Sequence, residues 1–571
     1  MKKKVLVLLV TALCVQTLWG CGKETTAYSE DVSDATEKAV EKETEEELTA
    51  AVFMEEVNGT LKVIEKNDEY CDYYEIFVYS FFDSDGDGIG DINGIIENLD
   101  YLNDGDESTN DDLGVNGIWL MPVMPSPSYH KYDVIDYYNI DEQYGSLEDF
   151  QNLLAECDKR GIRVIMDLVM NHSSSQNEWF TKACEYLQNL PAGSEPNEEE
   201  CPYVAYYHFT KEAKNKYHQV PQTDWYYEGQ FQDGMPDLNL KNEKVLDEFE
   251  KIADYWLAMG VSGFRLDAVS EYETGSVDQS IEELNEFVKR VKEDHPDCYL
   301  VGEVWQDMTT YTKFYKSGID SCFDFAFADS TGVIANTVKK ASGYTASSYG
   351  KAQENILSAI KENSENGIDA PFYTNHDMAR GAGYYSGENS QAQTKMAQAM
   401  NLFMTGNSFL YYGEELGMKG SGKDENKRAP MYWSDNTQEK GLCVGPPDMD
   451  SVKMKYASYA EQKEDGNSIY QYIRQVYKLK KAYPQIARGA VTFEEAYSGE
   501  DVCVVRKTYE ESEILIAYNI SPDEQNIDLK NINMQNGSQP EVGGILLTGA
   551  ENIDLSNGIL TMPAYSVVIL K

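Results

Sequence analysis

Residues 147–169 read LEDFQNLLAECDKRGIRVIMDLV. An amphipathic stretch, 147–161, runs directly into a short apolar one, 163–169, the order expected of a helix that delivers the chain to a buried strand. The alternation extends in both directions. Upstream lie IFVYSF (76–81), IIENLDYL (95–102) and GIWLMPV (117–123). Downstream come KVLDEFEKIADYWLAMG (244–260) and GFRLDAV (263–269), then the strand candidates CYLVGEVW (298–305), CFDFAF (322–327), PFYTNHD (371–377) and NSFLYYG (407–413). Strands alternating with helices in this way predict an α/β fold, a (β/α)8 TIM barrel, over 67–170 and 244–484. The segment 171–243, rich in Tyr, Asn and Gln, is expected to be an inserted domain after the third strand. Past the helix-like stretch 468–484, apolar and polar residues alternate between turn residues, which predicts a C-terminal antiparallel β-sandwich over 485–571.

The chain has 571 residues and a formal net charge of −50, with 98 Asp plus Glu against 48 Lys plus Arg. Such a surface repels phosphates and anionic lipid headgroups, which argues against nucleic acid as a partner. Aromatic residues make up 12%, including 41 Tyr, and suit the flat apolar faces of sugars. The N-terminus carries Lys2 to Lys4, an apolar run Val5 to Leu18, and then Leu18-Trp19-Gly20-Cys21. It reads as a lipoprotein signal peptide, 1–21, with Cys21 as the acylated residue, although Trp19 is bulky for that motif. The acidic segment 22–66 is then expected to be a tether holding the globular body away from an extracytoplasmic membrane face. The remaining cysteines show no CxxC pair, so a metal cluster is not expected and buried free thiols are the default; Cys184 and Cys201 are the pair closest in sequence.

In a barrel of this kind the chemistry sits at the C-terminal ends of the strands. There the sequence places Asp167, Asn171 and His172 after the third strand, Arg265 and Asp267 after the fourth, Glu303 after the fifth, and His376 and Asp377 after the seventh. Clustered carboxylates with few basic neighbours allow two readings, divalent metal binding or the divided acid and nucleophile roles of glycoside hydrolysis. A separate motif, DSDGDGIGD (83–91), offers oxygen ligands at alternate positions. As an EF-hand it fails, because the twelfth position, which demands a bidentate Glu, is Gly94.

The stretches GIRVIMDLVMNH (161–172), GFRLDAVSE (263–271), VGEVW (301–305) and FYTNHD (372–377) resemble, in order and spacing, the four signature regions of the α-amylase family, glycoside hydrolase family 13. MPDLN (235–239) resembles its fifth region, of the type intermediate between oligo-1,6-glucosidases and neopullulanases, and GVNGIWLMPV (114–123) its second-strand motif. The resemblance implies that Asp267 is the nucleophile, Glu303 the general acid/base and Asp377 the third essential carboxylate. Arg265 then orients Asp267, His172 and His376 bind the reacting sugar, and Tyr132 of SYHKYDV stacks beneath it. It also implies one structural calcium site, with Asp83, Asp85, Asp87 and Asp91 giving carboxylates and Ile89 a carbonyl. A second calcium site, between barrel and inserted domain in many members, is in doubt because Ser270 and Glu271 stand where its histidine is expected.

Ala268, where α-1,6-acting relatives often carry Val, and Val304-Trp305 after the acid both favour α-1,4 cleavage. The expected activity is that of a retaining α-amylase on starch or maltooligosaccharides. The alternatives are an α-glucosidase, neopullulanase or glucanotransferase on the same scaffold, or a non-catalytic glucan-binding lipoprotein. Trp225, Tyr226 and Tyr227 are candidates for a stacking platform or for ordinary core.

Overall fold

A computed structural model describes residues 68–106, 109, 111–341, 343–549 and 552–571. Cys21, the signal peptide and the whole acidic segment 22–66 lie outside the described residues. The barrel begins with β1 (Tyr73–Ile76), β2 (Gly117–Leu120) and β3 (Arg163–Leu168). Three short strands follow in the insertion, β4 (Phe209–Thr210), β5 (Tyr217–Gln219) and β6 (Tyr226–Glu228). The barrel resumes with β7 (Gly263–Leu266), β8 (Tyr299–Gly302), β9 (Ser321–Cys322) and β10 (Phe409–Tyr411).

The parallel order β10-β1-β2-β3-β7-β8-β9 leaves one place open, and the chain between β9 and β10 fills it. Phe323 bridges Ala370 and Phe372 bridges Phe409, both parallel, so the ring is closed by isolated bridges instead of a full strand. The expected fold class is the one observed, with local differences. The first strand lies at Tyr73–Ile76, and the apolar run after it turns into a 3-10 segment, Val78–Ser80, because the chain must bend over the barrel rim there. The expected strands at 322–327 and 371–377 are reduced to Ser321–Cys322 and the two bridges.

Local chemistry explains the helix before β3. It spans Leu147–Lys159 and opens on a reciprocal cap: the Ser146 hydroxyl accepts from the Asp149 N–H at 3.2 Å, and the Asp149 carboxylate accepts from the Ser146 N–H at 2.9 Å. Phe150, Leu153, Leu154 and Cys157 form its buried stripe, and Gly161, at φ +70°, turns the chain into β3. Register then does the positioning. Asp167 pairs with Arg265 and Arg265 with Val301, so the two charged side chains are neighbours across β3 and β7.

The insertion carries a helix, Glu178–Asn189, and the antiparallel sheet β4-β6-β5. Its exit is stapled to the end of β3 by the His172–Asp237 bridge and by the Leu238 N–H donating to the Asn171 carbonyl at 2.9 Å. Trp225 and Tyr227 are buried, Tyr227 with its ring edge-on to Phe180 at 4.7 Å, so these two are core and not a platform.

After the helix Ile469–Ala482 the chain forms two antiparallel sheets. One is β11 (Ala490–Phe493), β12 (Val502–Tyr509), β13 (Ser512–Asn519), β18 (Ser566–Leu570) and β15 (Val542–Leu546); the other is β14 (Gln525–Asp528), β17 (Ile559–Met562) and β16 (Asp554–Ser556). Leu515, Ala517 and Val568 of the first pack with Ile527, Leu560 and Met562 of the second. Among the described residues all eight cysteines are free, and no helix is long and apolar enough to cross a membrane.

Candidate active site

Arg265 is the hub of the strand-end cluster and is 1% exposed. Its Nη1 donates to Asp267 Oδ1 and to Asp167 Oδ1, both at 2.7 Å, and its Nη2 lies 2.9 Å from Glu303 Oε2. One planar guanidinium thus spans both carboxylates that follow β7 and β8, a geometry lysine cannot supply. Its Cζ sits over the rings of Trp119 at 5.3 Å and Tyr132 at 5.6 Å.

Between the two carboxylates the backbone takes an unusual turn. Ala268 has φ +48°, and its N–H donates to Glu303 Oε2 at 3.0 Å, while the Val269 N–H donates to the Glu303 carbonyl at 2.9 Å. In that left-handed conformation Ala268 carries less strain than a β-branched side chain would.

The environments of the carboxyls differ. Burial pushes Glu303 up to about 7, against the Arg265 charge and assisted by Asp267 and Asp377. Burial likewise raises Asp167 to about 6, opposed by Arg265. Asp377 goes the other way: burial alone would raise it, but the charge and hydrogen bond of His376 and the Arg428 guanidinium hold it well below the usual carboxylate range. The contacts are His376 Nε2 at 3.2 Å from Oδ2 and Arg428 Nη2 at 3.0 Å from Oδ1. The cluster therefore combines a carboxyl protonated near neutral pH with one held ionised.

His376 is fully buried, with Nδ1 2.5 Å from Glu75 Oε1 and Nε2 2.8 Å from the Tyr132 hydroxyl. Burial works against its charge, yet Asp377 and Glu75 raise it to about 10, so it is an imidazolium at neutral pH. Tyr132 stacks on it at 5.5 Å between ring centres and donates its hydroxyl proton to Asp167 Oδ2 at 3.0 Å. His172 is buried too, and burial lowers its pKa. Its Nε2 finds no hydrogen-bond partner among the described residues, which leaves one polar atom free for a ligand.

The seven expected residues Asp267, Glu303, Asp377, Arg265, His172, His376 and Tyr132 thus lie together at the strand ends. Sequence reasoning missed three of their partners. Glu75 sits on β1, where an isolated Glu in an apolar strand was the available signal. Arg428 arrives on the segment after β10, outside any recognised motif. The third is Phe231, an exposed aromatic 5.2 Å from the His172 ring; Trp305, already singled out after the acid, is a second exposed ring, stacked on Phe325 at 5.1 Å. They are 48% and 49% exposed, against the burial of Trp225 and Tyr227.

In the loop 83–91, Asp83, Asp85 and Asp91 bring carboxylate oxygens within 4.8 Å of one another. Asp83 accepts from the Gly86 and Gly88 N–H groups at 2.6 and 2.8 Å, and Asp91 caps the helix Ile92–Glu97 through the Gly94 N–H at 2.8 Å. Asp87 stands outside this trio and accepts from the Ile89 N–H at 2.7 Å. Among the described residues no lysine, arginine or histidine forms an ion pair with any of the four. The uncompensated field is felt at Cys443, whose thiol is pushed up by burial and then by Asp83, Asp91 and Asp87. An all-oxygen donor set of this kind fits a hard divalent cation such as calcium.

The family described as "Alpha amylase, catalytic domain" matches residues 75–489. The chain is similar to Alpha-amylase 3 of Dictyoglomus thermophilum, 33% identical over 504 residues that cover 87% of this chain and 92% of that protein. It is 27% identical to an oligo-1,6-glucosidase of Heyndrickxia coagulans, covering 73% and 85%. Among solved structures, Eubacterium rectale Amy13B superposes with a TM-score of 0.86 at 46% identity, covering 91% of this chain and 98% of that one. The α-amylase from H. orenii superposes at 0.76 with 34% identity, covering 88% and 99%. With its fold, its strand-end carboxylates and these matches, the chain belongs to the α-amylase family of glycoside hydrolases.

Proposed function

We propose that this glycoside hydrolase cleaves α-1,4-glucosidic bonds of starch or maltooligosaccharides by double displacement with retention. The observation that carries the reading is the sharing of Arg265 between Asp267 and Glu303, with Glu303 raised to about 7. The Asp267 carboxylate attacks the anomeric carbon as Glu303 gives its proton to the departing glycosidic oxygen, leaving a glycosyl ester on Asp267. Glu303, now ionised, takes a proton from water, which displaces Asp267 and restores both groups. Asp377, His172 and His376 bind hydroxyls of the reacting sugar, and Tyr132 stacks beneath it. The α-1,4 preference rests on Ala268 and Val304-Trp305 and on two relatives named as α-amylases.

Calcium, held by Asp83, Asp85 and Asp91 with Asp87 and the Ile89 carbonyl close in sequence, would pin a self-repelling loop and take no part in the reaction. Lipidation at Cys21 would anchor the enzyme outside the cytoplasm; Cys21→Ser is expected to release it from the membrane fraction, and unchanged membrane association would refute the anchor. The function itself is tested with Asp267→Asn. Hydrolysis of starch is expected to fall by at least about 10⁴-fold with the fold intact, and newly formed reducing ends from the native enzyme are expected as the α-anomer. Starch turnover by the variant, or β-anomeric product, would overturn it. Maltoheptaose separates the alternatives: mixed short products indicate internal cleavage, glucose alone an α-glucosidase, and longer chains a transferase.

A further inference from the structure

Lys131 is the residue just before Tyr132, and two properties set it apart. It is 0% exposed, and its backbone lies at φ +61°, a region lysine seldom enters. Its ammonium is clamped: Nζ lies 2.8 Å from Asp141 Oδ2, donates to Gln143 Oε1 at 3.0 Å, and sits 4.8 Å from the centre of the Tyr144 ring. Its backbone N–H donates to Ser128 Oγ at 3.1 Å, and the next N–H, that of Tyr132, donates to His130 Nδ1 at 3.2 Å. The clamp is itself fixed, because Asp141 also accepts from the Ser126 N–H at 3.1 Å and from the Gln143 N–H at 3.0 Å.

The left-handed turn sends the two side chains to different places. Lys131 enters the polar knot formed by 126–144, while Tyr132 enters the pocket, where its hydroxyl meets Asp167 and His376. Glycine would make such a turn without strain. A lysine held there needs an anchor strong enough to keep the conformation, and strained backbone beside a working side chain is where such anchoring accompanies function. We propose that Lys131 is the positioning residue of the Tyr132 platform: its buried ammonium, clamped by Asp141, Gln143 and Tyr144, holds the turn that aims the Tyr132 ring beneath the reacting sugar. The inference rests on the reading of Tyr132 as that platform.

The test is a double-mutant cycle with Lys131→Met, Tyr132→Ala and their combination, followed by kcat and KM on maltoheptaose. Lys131→Met is expected to lower kcat by roughly tenfold to a hundredfold, the scale of a misplacement near 1 Å, with KM changed less. In the Tyr132→Ala background the same change is expected to cost less than about threefold, since the side chain through which Lys131 acts is gone. Equal losses in both backgrounds would overturn the proposal and mark Lys131 as a purely structural residue. Lys131→Gly supplies the measurement if the methionine variant fails to fold: glycine permits the turn but, without the clamp, does not fix it, so kcat is expected to fall in the native background and not in the Tyr132→Ala background, and a native kcat would overturn the proposal. A Tyr132→Ala variant of native rate would instead refute the platform reading, and the proposal with it.

Discussion

His376 and Glu75 meet beneath the pocket, Nδ1 to Oε1 at 2.5 Å, with both side chains almost wholly removed from water. The pair turns a histidine into a fixed cation facing Asp377. Removing the acceptor charge would leave a buried imidazolium with weaker support, at a cost of about 1.5–3 kcal/mol.

Glu75→Gln is therefore expected to lower stability in a pH-dependent way. His376 is raised from 6.5 to about 10 in the folded protein, so its contribution is complete below about 6.5 and disappears as pH rises through about 10. Melting temperatures of the two proteins should differ most near pH 6 and converge toward pH 10. A gap that stays constant over this range would show that Glu75 does not act through the charge of His376.

Glu303 sets a second pH dependence, in activity and not in stability. Its folded pKa lies above the ordinary carboxylate value, and the reaction needs it protonated, so hydrolysis of maltoheptaose should fall as pH rises through about 7. Glu303→Gln should lose hydrolysis of that substrate yet still release fluoride from α-maltosyl fluoride, whose leaving group needs no proton. Failure on both substrates with intact binding would remove Glu303 from the acid role.

Calcium at the Asp-rich loop is open to a thermodynamic check. A ligand at a hundred times its Kd stabilises by about 2.7 kcal/mol, so chelation should lower the melting temperature and added calcium should restore it. Asp85→Ala, which alters an exposed member of the trio, should abolish the response while leaving product anomer and chain-length profile unchanged. A melting temperature indifferent to chelator would mean that the trio holds no cation.

Phe231 and Trp305 should mark how far the binding cleft extends. Loss of one stacking ring costs about 0.5–1.5 kcal/mol, a factor of roughly 2 to 10 in KM. Phe231→Ala and Trp305→Ala should each raise KM for maltoheptaose more than for a two-unit aryl maltoside. Equal effects on both substrates would place these rings on the reacting sugar and not beyond it.

The barrel was legible because strand and helix periods differ and their alternation is regular, as in 147–169. The catalytic cluster was legible because its members fall at strand ends within short motifs. What stayed hidden depends on pairing distant in sequence: Glu75 and His376 are 301 residues apart, and Arg428 and Asp377 are 51 apart. Burial of Trp225 and Tyr227 was equally unreadable, because whether a ring in a polar insertion finds a core depends on the helix Glu178–Asn189 folding over it. The shortened strands at 321–322 and 370–372 had the composition of full ones; only the bridges reveal how little backbone pairing closes the ring there.

Strand β1 lies between β2 and β10, with Tyr73 opposite both Gly117 and Phe409. A ribosome adding 5–20 residues each second therefore needs roughly 15 to 70 s after releasing β1 before its second neighbour exists. Throughout that interval one edge of the nascent sheet is bare, and any machinery that threads the polypeptide elsewhere has that long to act before the ring can shut.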